Sequence, residues 1–289
     1  MESVETYHPQ YFMRHRSRET LLRKGFVEIP MQADQLAPLI TCVVDGMRLI
    51  THNAGAARPE FVWRAHMIDE YGKGYEQEVG LEYKDDDERK WKFQYMSQAY
   101  GCGETGPSEL RAFFRCLSEL ERLAIEMAYG MAIELDARNG AKSTIRKYPG
   151  RLDVKMRNAT CVTRILRYPP GTHATRRAKT HIDRSFMTAH WFGSHRGLKL
   201  YTPSGSWERI DETSHELVAL FPGEKFAAAT KGMLGTYGTP HGVWCDEDLK
   251  EDRYAIVSFV HPGTFSADCA WLADNKSVIE AYEESLRLQ

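Results

Sequence analysis

The feature that most constrains this chain is a change of grammar after Gly150. Upstream, apolar residues recur at helical spacing; downstream, short apolar runs alternate with turn formers. Candidate strands fall at 159–168, 181–192, 197–202, 216–222, 225–230, 237–244 and 253–261. Pro169-Pro170-Gly171, Pro203-Ser204-Gly205 and Pro222-Gly223 punctuate them. Seven or so short strands at this spacing predict a sandwich or barrel. The clearest upstream element is a helix over roughly 108–135, capped by Ser108. Its apolar stripe runs through Leu110, Phe113, Phe114, Leu117, Leu120, Ala124, Met127, Met131 and Leu135. A stripe that wide needs a large apolar surface, such as the outside of a β-structure. A second helical pattern covers 33–49, Gly25–Pro30 alternates like a short strand, and Val278–Leu288 predicts a final helix. The expectation is an α+β, mainly β fold, with no linker between its halves. It forms one domain over 1–289: a helix-rich support region at 1–150, a β core at 151–265 and a helical tail at 266–289.

Composition narrows the function. The 289 residues suffice to bury a full core, and 38 basic against 40 acidic residues leave a net charge of −2. Such a balance offers no electrostatic pull on nucleic acid or an anionic membrane. Cys42, Cys102, Cys116, Cys161, Cys245 and Cys269 are scattered without a C-x-x-C pair, which points to a reduced interior. The N-terminus is acidic with no apolar signal region, and no apolar run approaches the length of a membrane span. The expected setting is cytoplasmic, with small molecules as partners.

Chemistry concentrates in Thr180-His181-Ile182-Asp183, read with His241 and Arg253. Two residues apart on a strand, His181 and Asp183 would point to one face. A histidine from a later strand would complete two imidazoles and one carboxylate, leaving three positions of an octahedral metal open. That donor set suits non-haem Fe(II) and O₂. With 11 histidines and 40 acidic residues in 289, chance alone supplies one or two H-x-[D/E] matches, so the weight lies in what surrounds this one.

Other patterns stand beside it. Gly101-Cys102-Gly103-Glu104-Thr105-Gly106 satisfies G-x-G-x-x-G, but Pro107 follows at once and no acidic-ended second strand appears, so a glycine-rich turn is the better reading. The charged run Lys84–Lys90 reads as a solvated loop. Arg176, Arg177, Lys179 and Arg184 bracket the candidate ligands; they read either as a solvated loop or as a lure for an anionic substrate. Trp191 is the aromatic expected to line a pocket, with Arg176 and Arg184 as candidate substrate contacts; His190 and His195 read as ordinary polar residues.

The motifs in order are Arg164-Ile165-Leu166-Arg167-Tyr168-Pro169-Pro170, His181-x-Asp183, Gly197-Leu198-Lys199-Leu200, Trp207, Leu220–Glu224, Gly238–His241 and Asp252–Ile256. This succession resembles the iron(II)/2-oxoglutarate-dependent oxygenases, specifically their isopenicillin N synthase-like branch, over roughly residues 157–262. The resemblance implies a double-stranded β-helix core buttressed by helices, with His181, Asp183 and His241 as iron ligands. Arg253 would grip the distal carboxylate of 2-oxoglutarate, and Tyr168 would face that co-substrate. It implies oxidation of an unactivated C–H bond coupled to decarboxylation of the 2-oxo acid by O₂. Two positions depart from the family: Ala255 stands where a serine is usual, and Leu166 where an asparagine is usual. The hydrogen bond that serine would make comes from Tyr168 or Ser258, or is missing. Keeping Asp183 favours hydroxylation, desaturation or cyclisation over halogenation. The alternative is a non-catalytic, cupin-type barrel that binds a metal or small ligand.

Overall fold

The computed structural model describes residues 16–54, 91–95, 110–139, 156, 158–168, 170, 176–230, 238–244 and 248–262. Ser108, the 84–90 charged run, the 101–106 glycine motif and the 278–288 helix lie outside the described residues.

Ten described strands form two antiparallel sheets. The larger takes β1 (Val27–Pro30), β8 (Leu217–Pro222), β5 (Met187–Gly193), β10 (Arg253–His261), β3 (Thr160–Tyr168) and β2 (Trp91–Tyr95) in that spatial order. The smaller is β4 (Arg176–His181), β9 (His241–Trp244), β6 (Leu198–Tyr201) and β7 (Trp207–Arg209).

Period-two alternation divides the larger sheet into two faces. One carries Met187, Ala189, Trp191, Ile165, Ile256 and Val260 into the main core. There it meets α2 (Ala33–Ala54) and α3 (Arg111–Asn139), which pack on each other. Gly46 lets them close: a Cβ there would stand 2.2 Å from a ring carbon of Phe113. Phe113 in turn meets Phe93 of β2 edge-on at 5.2 Å, so one aromatic joins helix to sheet. The shorter α1 (Arg16–Lys24) precedes β1. The broad stripe predicted on the long helix is thus matched by a sheet face wide enough to bury it.

The other face looks toward the smaller sheet. Phe26, Ala219 and Phe221 meet Ala178, Leu198, Leu200, Ile210 and Val243 in a second apolar cluster that glues the sheets together.

Two expectations need correction. Residues 225–230 are not a strand but most of a short helix, α4 (Glu224–Thr230). Its three consecutive alanines are strong helix formers, and the Gly223 carbonyl accepts from Phe226 and Ala227. Nor is 181–192 one strand: β4 stops at His181 and β5 starts at Met187. The break has a partner, because the carbonyls of Asp183 and Ser185 accept the N–H groups of Glu224 and Lys225 at 2.8 and 3.1 Å. Those are the unpaired donors of α4's first turn.

Candidate metal centre

His181 ends β4 and His241 begins β9, and the two are cross-strand partners in the antiparallel register. Their rings lie 4.4 Å apart between centroids. Asp183 arrives differently from the strand geometry expected. It sits two residues past the end of β4, in the turn held by α4, and there reaches both histidines. Its Oδ1 lies 3.3 Å from His181 Nε2, and its Oδ2 lies 3.4 Å from His241 Nε2. The three donor atoms all fall within 4.8 Å of one another. Donors at about 2.1 Å from an ion and at right angles are about 3 Å apart, so one ion fits this spacing.

Local bonds prepare two of the donors. His241 Nδ1 donates to the carbonyl of Thr239 at 3.0 Å, since a carbonyl can only accept. That fixes the tautomer and leaves Nε2 with its lone pair free for a metal. Burial lowers the His241 imidazole to about 4, with Asp183 countering only in part. It is therefore neutral at physiological pH, as a ligand must be. For Asp183, burial pushes the carboxyl up, but the two imidazoles and the Thr188 hydroxyl outweigh it and hold it well below the usual carboxylate range. Thr188 donates to Asp183 Oδ2 at 2.7 Å. Gly223 makes room for the ligand turn: a Cβ there would come within 2.3 Å of the Ser185 carbonyl and 2.6 Å of that of Asp183. Against His241, on the barrel side, lies the ring of Phe221 at 4.8 Å.

Arg253 opens β10 opposite Tyr168 in the register and is 1% exposed. Its guanidinium carbon lies 5.1 Å from the Tyr168 ring centroid. Nε donates to the His195 carbonyl at 3.0 Å and Nη2 to Glu212 Oε2, whereas buried Nη1 has no hydrogen-bond partner among the described residues. A fully buried cation with an unsatisfied nitrogen is the feature a carboxylate ligand would complete. The residues present therefore fit both an Fe(II) ion and a 2-oxo acid with a distal carboxylate.

Other expected contacts fall elsewhere. Trp191 faces the helices, 1% exposed within the main core, and donates Nε1 to Ser258 at 2.8 Å. Strand alternation decides this, since Thr188 and His190 take the opposite face. Ser258 is spent on Trp191 and on Thr163 at 2.6 Å, so it does not stand in for the serine absent at Ala255. Arg184 is exposed beside Asp183, where its charge acts on Glu224. Arg176 pairs with Trp244 at the start of β4, so the basic cluster opens on a strand rather than a loop.

Sequence reasoning missed Thr188, His190 and Glu212. The first two were within reach of strand alternation, since they share the face opposite Trp191. Glu212 lies in the polar stretch Asp211-Glu212-Thr213, which reads as solvated.

Solved oxygenases share this architecture. A Shewanella oneidensis protein provisionally assigned as an oxygenase superposes with a TM-score of 0.62 at 18% identity, over 95% of this chain and 97% of that one. A full-length Neurospora crassa protein, solved in complex with alpha-KG, gives 0.56 at 18% identity over 87% and 79% of the two chains. The dioxygenase for auxin oxidation 1 of Arabidopsis thaliana, as its 2-oxoglutarate complex, gives 0.58 at 16% identity over 86% and 87%. At these identities the likeness shows the fold, a double-stranded β-helix with flanking helices. No protein-family model and no curated protein matches the chain.

Proposed function

We propose that this chain is a mononuclear, non-haem Fe(II)- and 2-oxoglutarate-dependent dioxygenase that oxidises an unactivated C–H bond of a small polar metabolite or a natural-product intermediate. The observation that carries the reading is the convergence of His181, Asp183 and His241 on one point, in a fold that places a buried, incompletely bonded Arg253 on the facing sheet. His181 Nε2, His241 Nε2 and one oxygen of Asp183 would hold the ion. Two imidazoles and one carboxylate would leave a bound Fe(II) room for a 2-oxo acid and O₂.

Each residue's part follows from its surroundings. Thr188 fixes the Asp183 carboxylate by donating to Oδ2, and the Thr239 carbonyl retains the proton on His241 Nδ1. Arg253 would receive the distal carboxylate of the 2-oxo acid at Nη1, with the ring of Tyr168 beneath the guanidinium. Phe221 and its apolar neighbours keep water from the barrel side of His241. When iron, 2-oxo acid and O₂ are bound together, they supply oxidative decarboxylation to succinate and CO₂, coupled to oxidation of the substrate carbon.

Arg176 and Arg184 would favour a substrate bearing an anionic group; hydroxylation, desaturation and cyclisation all suit the site. Among the described residues no helix is long and apolar enough to cross a membrane, and the proposed setting is cytoplasmic. Succinate release from 2-oxoglutarate, screened across a metabolite panel with Fe(II) and O₂, tests the reading. Iron-dependent succinate stimulated by one metabolite class is expected. Iron uptake without succinate for any metabolite would return the chain to a non-catalytic, cupin-type binder.

A further inference from the structure

Glu212 is a buried carboxylate in a place built for it. Its backbone belongs to the connection between β7 and β8, and its side chain is 0% exposed. Three strands send donors to it. The Leu198 N–H reaches Oε1 at 2.7 Å, His190 Nε2 lies 2.8 Å from Oε2, and Arg253 Nη2 donates to that same Oε2. Gly193 supplies the space, because a Cβ there would stand 2.3 Å from Oε2. Burial pushes the carboxyl up, yet Arg253 and His190 outweigh it and keep it ionised. Removal of Arg253 alone would leave the Glu212 charge unmatched in the protein interior.

Arg253 is the group this arrangement serves. A guanidinium is planar and rigid, so fixing two of its nitrogens fixes the third. The His195 carbonyl fixes Nε and Glu212 fixes Nη2, which leaves Nη1 as the nitrogen with donors to spare. Ala255, two residues on in β10, has no side-chain donor to offer a carboxylate, so the direction of Nη1 would carry more of the grip.

We infer that Glu212, backed by His190, is a positioning residue that aims Arg253 Nη1 at the distal carboxylate of the 2-oxo acid. The inference rests on the reading of Arg253 as the co-substrate arginine, and its test separates the two. Titration calorimetry would measure 2-oxoglutarate binding to protein loaded with redox-inert Mn(II), for the wild type and Glu212→Gln. Loss of a charge-assisted bond predicts weaker 2-oxoglutarate binding by about tenfold or more, with Mn(II) affinity within about twofold of wild type. Unchanged or tighter 2-oxoglutarate binding in folded Glu212→Gln overturns the role of Glu212 alone. Equal losses of Mn(II) and 2-oxoglutarate affinity overturn it too, by showing a general loosening. A wild type that binds Mn(II) but not 2-oxoglutarate overturns the co-substrate reading itself. Should Glu212→Gln fail to fold, His190→Ala and His190→Gln decide: the first weakens 2-oxoglutarate binding severalfold and the second, retaining an N–H donor, restores it. Equal binding by both contradicts the inference.

Discussion

Asp183 owes its place to its neighbours rather than to a strand. Thr188 donates to one of its oxygens, and its backbone carbonyl is tied to the N–H of Glu224. Bonds of this kind around a metal ligand are typically worth about 10- to 100-fold in metal affinity. Thr188→Val, which keeps the shape and removes the hydroxyl, should therefore weaken Mn(II) binding by about that factor in calorimetry. An unchanged affinity would relegate Thr188 to packing. Arg253→Leu removes the cation expected to meet the 2-oxo acid, and the dissociation constant for 2-oxoglutarate should rise about 10- to 100-fold. A constant within twofold of wild type would make Arg253 a structural partner of Glu212 and nothing more. At this scale the cluster that could hold a metal was legible, because His181, Asp183 and His241, with Arg253 after them, follow one another among strand motifs in a recognisable order. Their supports were not. Strand alternation sets Thr188 and His190 on the face opposite Trp191 but does not name their partners: Thr188 meets Asp183 across the turn before β5, and the folding back of the 210–216 connection brings Glu212 to His190.

Elements explain why the turn carrying Asp183 has a defined shape. α4 is short, and its first N–H groups are satisfied by carbonyls of that turn rather than by a side-chain cap. Gly223 permits the contact. Gly223→Ala should lower stability by about 1–3 kcal/mol, as overpacking does, and weaken metal binding with it. Thermal melts and Mn(II) titration check both, and an undisturbed melt would mean that the turn yields easily. Farther away, Gly46→Ala drives a methyl into Phe113 and should cost about 1–3 kcal/mol without touching metal affinity. A metal affinity that falls with it would couple the helix pair to the site. The long helix, the strand before Pro30 and most β strands were readable from periodicity. Residues 225–230 were not, because a short apolar run such as Lys225-Phe226-Ala227-Ala228-Ala229-Thr230 fits a buried strand and a buried helix equally. Tertiary contacts with the ligand turn chose the helix.

The whole molecule should record the site in its acid stability. Burial lowers the His241 imidazole from its usual 6.5 to about 4, so between those values the unfolded chain binds a proton that the folded chain refuses. Folding stability of chelator-treated protein should then fall as pH drops from about 6.5 to 4. Asp183 and Glu212, whose carboxyls are held low, contribute stability that is lost at still lower pH. His241→Gln should flatten the upper part of the profile in thermal melts, and a slope unchanged from wild type would argue against a buried, neutral imidazole. Fold class, too, was legible at this scale, because two sheets that share an apolar interior are what short strands with frequent turns must build. Which face each strand turned inward was settled by the two sheets meeting around Phe26 and Phe221 and by the helices covering Trp191.

The most direct test of the central claim is an anaerobic titration of the protein with Fe(II) in the presence of 2-oxoglutarate, followed by visible absorption. One weak charge-transfer band should grow to a limit at a single equivalent of iron and be absent in Asp183→Ala. No band in the wild type, or an equal band in Asp183→Ala, would contradict iron held between His181, Asp183 and His241.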